Sequence, residues 1–596
     1  MNILHVLSQK ELTGAEVYAS SLIDAQIQSG HQVYQVSNGF FNPNGAYQIQ
    51  LPVETKGFSF WKSVLALRQI LQTKKIHLIH GHSRAAAKLV FYARLGLKVG
   101  FVSSVHGRQH VSLSKKILNQ YGDFIIPVCE KIADQLKNEF NYSDRRIKII
   151  PNSIDSLKFK FKSHLKLDIK RELKIAVIGR TSGPKKIRTE IFIDGFSKLL
   201  DQKNLSYRFT LIGGNLKIPG PVEVISSLDI NSDVLQNYDL ICGSGRVAIE
   251  ALLSGVPCIA FGETEYVGLI TEKNFESACR SNFGDISDHF NLPHFDLFQA
   301  QKDLGLLLAN TVDFQMLADL ASSRFSLDAV SKKIIRLYES AYFIRNYSRW
   351  IPILMYHKIP DENLTSQHKI YVNKNNFARH LKTFKSLGLT TITFNELSLY
   401  RKALKPFSIF PKNPLILTFD DGYEDNLKNA NIELQKNNMK AHIYLLAEST
   451  IASNEWDHNT QATEKHKIIS GSDRLLWKNS QFTIGSHGLS HQRLPAMSTE
   501  DKKTELSHSK QKLESEFDQP VISYAYTYGD TNPECAELAE TCGYEYALNT
   551  DTGGLLLEEN PYAIFRVNIF PDETFTSLWK KTRKWYRQYY FYKRKK

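Results

Sequence analysis

An apolar run ends in paired carboxylates at PLILTFDDGYEDN, where Asp420 and Asp421 follow a strand-like segment. In barrel-type α/β folds the C-terminal ends of strands carry the reacting groups. Sixty-six residues after Asp421 a second such segment ends in SHGLSH and sets His487 and His491 four positions apart. That spacing puts two imidazoles on one side of a helical turn. Taken singly, the carboxylates read as well as a turn or a helix cap, and the histidines as surface residues. Together, one carboxylate and two imidazoles make a facial set that holds a divalent cation with positions left open for water and substrate. Such a cation acidifies water and polarises a carbonyl, which is the chemistry of amide hydrolysis.

These segments belong to an alternation of strands and helices that begins near Trp350. IPILMYHKI, LILTFDDGY, AHIYLLAE and FTIGSHG are strand-like, with helical stretches such as residues 377–387 between them. The pattern implies a parallel α/β unit, a barrel with strands missing. Earlier, the chain opens with a strand at 3–7, the turn TGAE, a helical stretch that stops at Gly30 and a strand at 33–36, a βαβ beginning. Further strands are expected at 77–79, 99–105 and 124–128. After IIPNSID the alternation resumes at LKIAVIGR and runs through FTLIGG and YDLICGSG. It then passes the helix at 247–254 to VPCIAFG, and a helix over 328–341 closes it. The expected fold class is α/β: two Rossmann-like domains at 1–150 and 151–345, a distorted (β/α) barrel at 346–576 and a tail at 577–596.

At TFDDG and SHGLSH the chain resembles the polysaccharide deacetylase family, carbohydrate esterase family four, whose motifs read TFDDG and H-S/T-x-x-H. The first is intact, and the second has Gly488 where Ser or Thr is usual. The resemblance implies that Asp420 is the general base and that Asp421, His487 and His491 hold a divalent metal, zinc being the expected ion. The family's motif aromatic-x-Tyr-Pro-Tyr-Gly is similar to YAYTYG at 524–529, with Thr527 in place of proline. It implies that Tyr528 lines the groove and offers a backbone N–H to a tetrahedral oxyanion. An aromatic core strand is the alternative reading of these residues. No Leu-x-His motif follows Tyr544, but MYHKI resembles the start of circularly permuted deacetylases that act on poly-N-acetylglucosamine. His357 is therefore the expected general acid, with a core histidine beside Tyr356 as the alternative. Arg566, in IFRVNI, is expected either to orient Asp420 or to make a surface ion pair.

The first 345 residues resemble family-four glycosyltransferases of the GT-B fold, through TGAE, HGHS, SVHG, IPNSID and GSGRVAIEALLSGVPCIAFGE in that order. The resemblance implies a retaining enzyme without a metal in this domain, its acceptor on the first half and its nucleotide sugar mostly on the second. It assigns Arg180 and Lys185, in IGRTSGPKK, to the diphosphate leaving group, whose developing charge requires cations. Glu250 is expected to accept hydrogen bonds from ribose hydroxyls, on a helix whose N-terminus favours phosphate. Gly14 is expected to let the backbone approach the phosphates, and His106 to face a sugar hydroxyl, unless His106 is a core or turn residue. Many relatives carry two glutamates eight positions apart, and the earlier position here is Cys242.

At 596 residues, 42% hydrophobic and 23% charged, the chain has the composition of a folded protein of several domains. The first twenty residues lack the basic leader and apolar run of a secretory signal, and no 18-residue stretch is apolar enough to span a bilayer. Six cysteines without CxxC spacing read as reduced thiols, so a cytoplasmic place is expected. The formal charge of +14 is uneven, for the last twenty residues hold nine Lys or Arg and no acid. Trp579, Trp585, Tyr586, Tyr589, Tyr590 and Phe591 interleave with those cations. The tail reads either as solvated or as an interfacial segment drawn to anionic lipid, with RNA the weakest alternative. An anionic membrane surface is thus the expected partner, and nucleic acid is not.

Joined, the two parts imply transfer of N-acetylglucosamine from UDP-N-acetylglucosamine and its conversion to glucosamine. The pairing is similar to bifunctional enzymes of lipopolysaccharide core assembly in Gram-negative bacteria. This implies a lipid-linked core oligosaccharide as acceptor and a peripheral place on the inner face of the inner membrane. Two alternatives stand beside it: transfer of another hexose with an independent deacetylase for capsule or O-antigen, and a non-catalytic glycan-binding module that docks the deacetylase.

Overall fold

The computed structural model describes residues 1–8, 14–39, 45–109, 111, 120–155, 157–161, 170–214, 216, 218, 220–287, 294–365, 369–457, 465–550 and 560–594. Thr13 of TGAE and Lys595 and Lys596 of the tail lie outside them. The chain divides into two compact units, Met1–Asn346 and Tyr347–Lys596.

The first unit holds two six-stranded sheets. One runs in the order Tyr47–Gln50, Gln32–Ser37, Asn2–Val6, Leu78–Gly81, Gly100–Val105, Phe124–Pro127, all parallel. The other runs Tyr266–Leu269, Cys258–Phe261, Leu240–Gly243, Leu173–Ile178, Tyr207–Ile212, Val222–Ile225, with only the first pair antiparallel. Numbered along the chain, each reads 3-2-1-4-5-6. That doubly wound order opens a crevice where the strand order reverses, at the carboxyl ends of strands 1 and 4. Strands covered on both faces become continuous apolar runs, as at Ile175, Ala176, Val177 and Ile178.

The expected helix at 328–341 is longer, Leu327–Asn346, and it packs away from the second half. Val330, Ile334, Leu337, Tyr338 and Ala341 form an apolar stripe at helical spacing that shares a core with Ile3, Leu78 and Val102 of the first sheet. Gly100 permits the approach: a Cβ there would stand 2.8 Å from the backbone nitrogen of Tyr342. This helix, which lies in the range 151–345 expected for the second half, thus packs on the sheet of the first.

In the second unit a parallel sheet runs Tyr546–Leu548, Ser523–Ala525, Phe482–Ser486, Ala441–Leu445, Pro414–Phe419, Ile353–Tyr356, Val567–Asn568, with Thr390–Thr391 beside Pro414–Phe419. A bridge between Leu548 and Ile564 draws the two edges together, which makes the distorted barrel. Leu417, Phe419, Ile443 and Ile484 form its core with Phe377 and Leu434. The strands end just before His357, Asp420, His487 and Tyr526.

The boundary expected at 576 is corrected. The helix Phe575–Lys581 is part of the barrel, because Leu578 is buried in its core and Lys581 pairs with Glu573. The separate tail is the helix Lys584–Arg594, where Trp585, Tyr589 and Tyr592 are exposed. Among the described residues no single helix is long and apolar enough to cross a membrane. The helices Leu297–Ala309 and Phe314–Phe325, bent by 113°, pass that test only as a pair, and Leu304, Leu307, Leu317 and Ala321 on them are buried in the cores of the second half.

Candidate active sites

At the end of strand Pro414–Phe419 the backbone turns sharply: Asp421 has φ 74° and Gly422 φ 78°. The turn sends two neighbouring carboxylates to different partners. Oδ1 of Asp421 lies 3.2 Å from Nε2 of His487 and 3.3 Å from Nε2 of His491, all three side chains being buried. The helical turn expected for the two histidines is absent. They stand on a loop in which Gly488 has φ 89° and His491 φ 62°.

That loop explains the departure from the usual Ser or Thr at 488. A Cβ would meet Oε1 of Glu505 at 2.7 Å, and the same carboxylate accepts the backbone N–H groups of Leu489 at 2.6 Å and Ser490 at 3.3 Å. Nδ1 of His487 lies 2.8 Å from the Ala525 carbonyl, which can only accept, so Nδ1 carries a proton and Nε2 is the atom turned to Asp421. Three donor atoms within 4.8 Å of one another, with one imidazole held from behind, fit a divalent cation. Trp456 stacks on His491 with ring centroids 4.1 Å apart; nothing in the EWD segment marked it in advance.

Asp420 faces Arg566 through two hydrogen bonds, Nη1 to Oδ1 at 2.6 Å and Nη2 to Oδ2 at 2.7 Å, both side chains being fully buried. Arg566 also donates to the Asn549 carbonyl at 2.9 Å. The alternative of a surface ion pair is therefore excluded. Burial alone would raise the Asp420 carboxyl, but Arg566, with His487 and His357, overcomes it and holds the group below its usual range. Asp420 is thus a carboxylate near neutrality, ready to accept a proton.

His357 follows strand Ile353–Tyr356 and is partly buried, while Tyr356 is the core residue, stacked on Phe419. Burial lowers the His357 imidazole, and the Asp420 and Asp421 charges work against it. Its carbonyl accepts a hydrogen bond from Nδ2 of Asn426 at 2.7 Å, which ties it to the segment after TFDDG.

The aromatic residues of YAYTYG divide between core and surface. Tyr524 and Tyr526 are core residues, whereas Tyr528 is 40% exposed, has φ 57° and sets its ring 4.7 Å from that of His491. The guanidinium of Arg493 lies 4.0 Å over the Tyr528 ring. At the place of the missing proline, Thr527 donates its hydroxyl to the Gln492 carbonyl, clamping this loop to the residue after His491.

In the first unit a cleft of about 340 Å³ lies at the carboxyl end of the first sheet, lined by Ser8, Glu54, His82, Arg84, Ser104 and His106 among others. Nδ1 of His106 is 3.1 Å from Oδ1 of Asn152, in IPNSID. Behind it His5 meets His82 at 2.8 Å and Gln26 at 2.9 Å, and His80 bonds Tyr338 and Ser104. Burial pushes His5 down to about 4 and His80 and His82 well below their usual value, so these are neutral rings. His5, His80 and His82 also bring nitrogens within 4.8 Å of one another, but a hydrogen-bond network already engages them. His82 and Ser104, both inside quoted motifs, were not singled out from the sequence. Gly14 begins the helix Gly14–Gln28 after the first strand, with open space where a Cβ would stand.

Arg180 and Lys185 follow the strand Leu173–Ile178, Glu250 stands on the helix Arg246–Leu253 after the strand Leu240–Gly243, and each is already paired. Nζ of Lys185 lies 3.2 Å from Asp285 and 4.0 Å from Glu263, and the exposed Arg180 is 3.6 Å from Glu263. Nε of Arg246 donates to Glu250 at 2.6 Å; burial raises the Glu250 carboxyl and Arg246 opposes it. Asp285, Glu263 and Arg246 are partners that sequence reasoning missed: Asp285 lies outside every motif, whereas Arg246, four residues before Glu250 on one helix, and Glu263 both lie within the GSGR segment, and the i,i+4 spacing could have found the first. Cys242 is fully buried within its strand and offers no carboxylate at that position. Nη1 of Arg108 donates to the Ser287 carbonyl at 2.9 Å, which links the two halves beside the cleft.

Comparison with known proteins agrees with this division. The model of the family Polysaccharide deacetylase matches residues 408–547, and that of Glycosyltransferase Family 4 matches residues 12–156. His357 and Arg566 lie outside the first match. YxkH of Bacillus subtilis strain 168, provisionally assigned as a polysaccharide deacetylase, is 30% identical over 221 residues, 37% of this chain and 72% of YxkH. Among solved structures, the Streptococcus pyogenes deacetylase PplD in complex with acetate is 24% identical over 39% of this chain and 99% of its own, with a TM-score of 0.33. A glycosyltransferase from Rickettsia africae is 14% identical over 57% and 98%, with a TM-score of 0.45. The chain belongs to the polysaccharide deacetylase family through its second unit, joined to a family-four glycosyltransferase domain in its first.

Proposed function

We propose that the first unit transfers N-acetylglucosamine from UDP-N-acetylglucosamine to a lipid-linked core oligosaccharide, with retention of configuration, and that the second unit then removes the acetyl group. The observation that carries this reading is the joining of a transferase domain to a site whose base is buried and locked by Arg566 in one chain. Sugar donors with a free amine are uncommon, so a chain that ends in glucosamine needs both steps. Zinc is the ion proposed at Asp421, His487 and His491; when bound it acidifies water and polarises the amide carbonyl. Asp420 takes the proton from the attacking water, Arg566 keeps that carboxylate ionised and aimed, and His357 gives a proton to the departing amine. The backbone N–H of Tyr528 faces the developing oxyanion. On the transferase side Arg180 and Lys185 exchange their carboxylate partners for the diphosphate, Glu250 receives the ribose, and Gly14 and His106 complete the donor and acceptor sides. The protein acts at the cytoplasmic face of the inner membrane, its basic aromatic tail on anionic lipid.

The test compares the core oligosaccharide of two strains, one with Asp420→Asn and one lacking the gene. The first is expected to carry the added sugar with its acetyl group retained, the second to lack the sugar. An Asp420→Asn strain without the sugar, or an acetyl group lost from another residue, would replace the coupled pathway with two independent activities.

A further inference from the structure

Between Thr55 and Gly122 the chain contains no Asp or Glu and twelve Lys or Arg. Together with the tail this stretch carries more than the whole formal charge of +14, so the remaining residues are net acidic. The stretch includes two helices packed on one another, Gly57–Thr73 and Arg84–Ala93. On the first, Phe60, Val64, Leu67 and Leu71 face the core. The opposite side is also apolar: Phe58, Trp61 and Leu65, at helical spacing, are 76%, 52% and 67% exposed. A helix that borders solvent ordinarily presents a polar outer face, so this one is built to be covered. Tyr92 packs edge-on against Trp61 at 5.3 Å, and the exposed Leu95 extends the patch. Lys56, Lys62 and Lys88, all exposed, stand on or beside the same two helices, with Nζ of Lys62 5.2 Å from the Phe58 ring and Nζ of Lys88 5.0 Å from that of Phe60.

We infer that this face of the first unit is a docking site for an anionic lipid surface. Aromatic and aliphatic side chains enter the boundary between headgroups and acyl chains, while lysines rest on the headgroup charges. A second copy of the chain is a poor occupant, because it would bring two faces rich in lysine against each other. Glu54, Arg84 and Ala85, which line the cleft, stand at the heads of these same helices. Contact with a bilayer therefore brings the acceptor cleft to a substrate held in lipid. This last step rests on the function proposed above; the docking itself does not.

The experiment measures co-sedimentation of the full chain with vesicles of phosphatidylcholine alone or mixed with phosphatidylglycerol. Binding is expected only to the anionic vesicles, and the combined variant Phe58→Ser, Trp61→Ser, Leu65→Ser is expected to lower it about tenfold or more with an unchanged melting temperature. Trp585→Ser with Tyr589→Ser, made separately, measures the part due to the tail. Unchanged vesicle binding in the triple variant overturns the inference. So does a dimer in solution that the triple variant dissociates, which would assign the face to self-association. With a short water-soluble acceptor the triple variant is expected to keep both reaction rates. If neither reaction occurs there while vesicle binding still falls as expected, docking stands and the proposed chemistry is what fails.

Discussion

Asp420 and Arg566 share two hydrogen bonds of 2.6 and 2.7 Å in full burial, whereas Lys185 meets Asp285 at 3.2 Å with solvent still touching both side chains. The first arrangement is finished: the Asp420–Arg566 pair and the donor atoms of Asp421, His487 and His491 are already in place, and positive φ at Asp421, His491 and Tyr528 shows backbone held in costly conformations. The second arrangement is provisional, because Arg180 and Lys185 are neutralised by carboxylates and Glu250 by Arg246. A hydrolytic site gains from fixed charge aimed at one small group. A site that must admit and release a diphosphate gains from cations whose resting partners can be exchanged. The difference lies in desolvation: full burial makes a charge pair costly to break, while partial exposure makes it replaceable.

Removing a ligand tests the finished site most severely. Asp421→Ala or His487→Ala is expected to reduce deacetylation to background while transfer continues, as measured by acetate release and by sugar incorporation. Chelation of the wild-type protein should have the same selective effect, reversed by zinc. Equal loss of both activities would show that the two sites are not separable.

Asp420→Asn keeps the shape but not the base, and a loss of roughly 10²–10⁴-fold in deacetylation is expected. Arg566→Lys keeps the charge but not the paired geometry, so about a tenfold to hundredfold loss should follow, the worth of one charged hydrogen bond. Arg566→Met, which strands a buried carboxylate, should instead cost about 3–5 kcal/mol of stability, read by thermal unfolding.

In the provisional site, Glu250→Ala and Lys185→Ala are each expected to slow transfer roughly tenfold to a hundredfold and to spare deacetylation of a preformed acceptor. Transfer kinetics unchanged in both would dissolve the comparison. The smallest effect is expected for Thr527→Val, which deletes the clamp to Gln492: about 1 kcal/mol, or roughly fivefold in deacetylation. Wild-type activity in that variant would mean that Tyr528 is held by its ring contacts alone.

Much of this was legible from residue order. Alternating apolar segments called for three parallel sheets, and all three are present, the second with one antiparallel edge strand. TFDDG and SHGLSH singled out the three residues whose donor atoms converge, because a local motif carries its chemistry with it. What those motifs could not convey was the conformation of the loop: the expected helical turn gives way to a strand-end loop shaped by Gly488 and braced by Glu505, fourteen residues after His491.

The sequence by itself determined which elements form and which residues can carry the chemistry, since periodicity and side-chain type are local properties. Only the tertiary structure decided who neutralises whom. Arg566 reaches Asp420 across 146 residues, Asp285 reaches Lys185 across 100, and Tyr338 returns to His80 across 258. Such pairings depend on sheet order and on which groups are buried together. The burial of Leu578 and the docking of helix Leu327–Asn346 on the first sheet were settled in the same way, by apolar surface finding a core that no local pattern specifies.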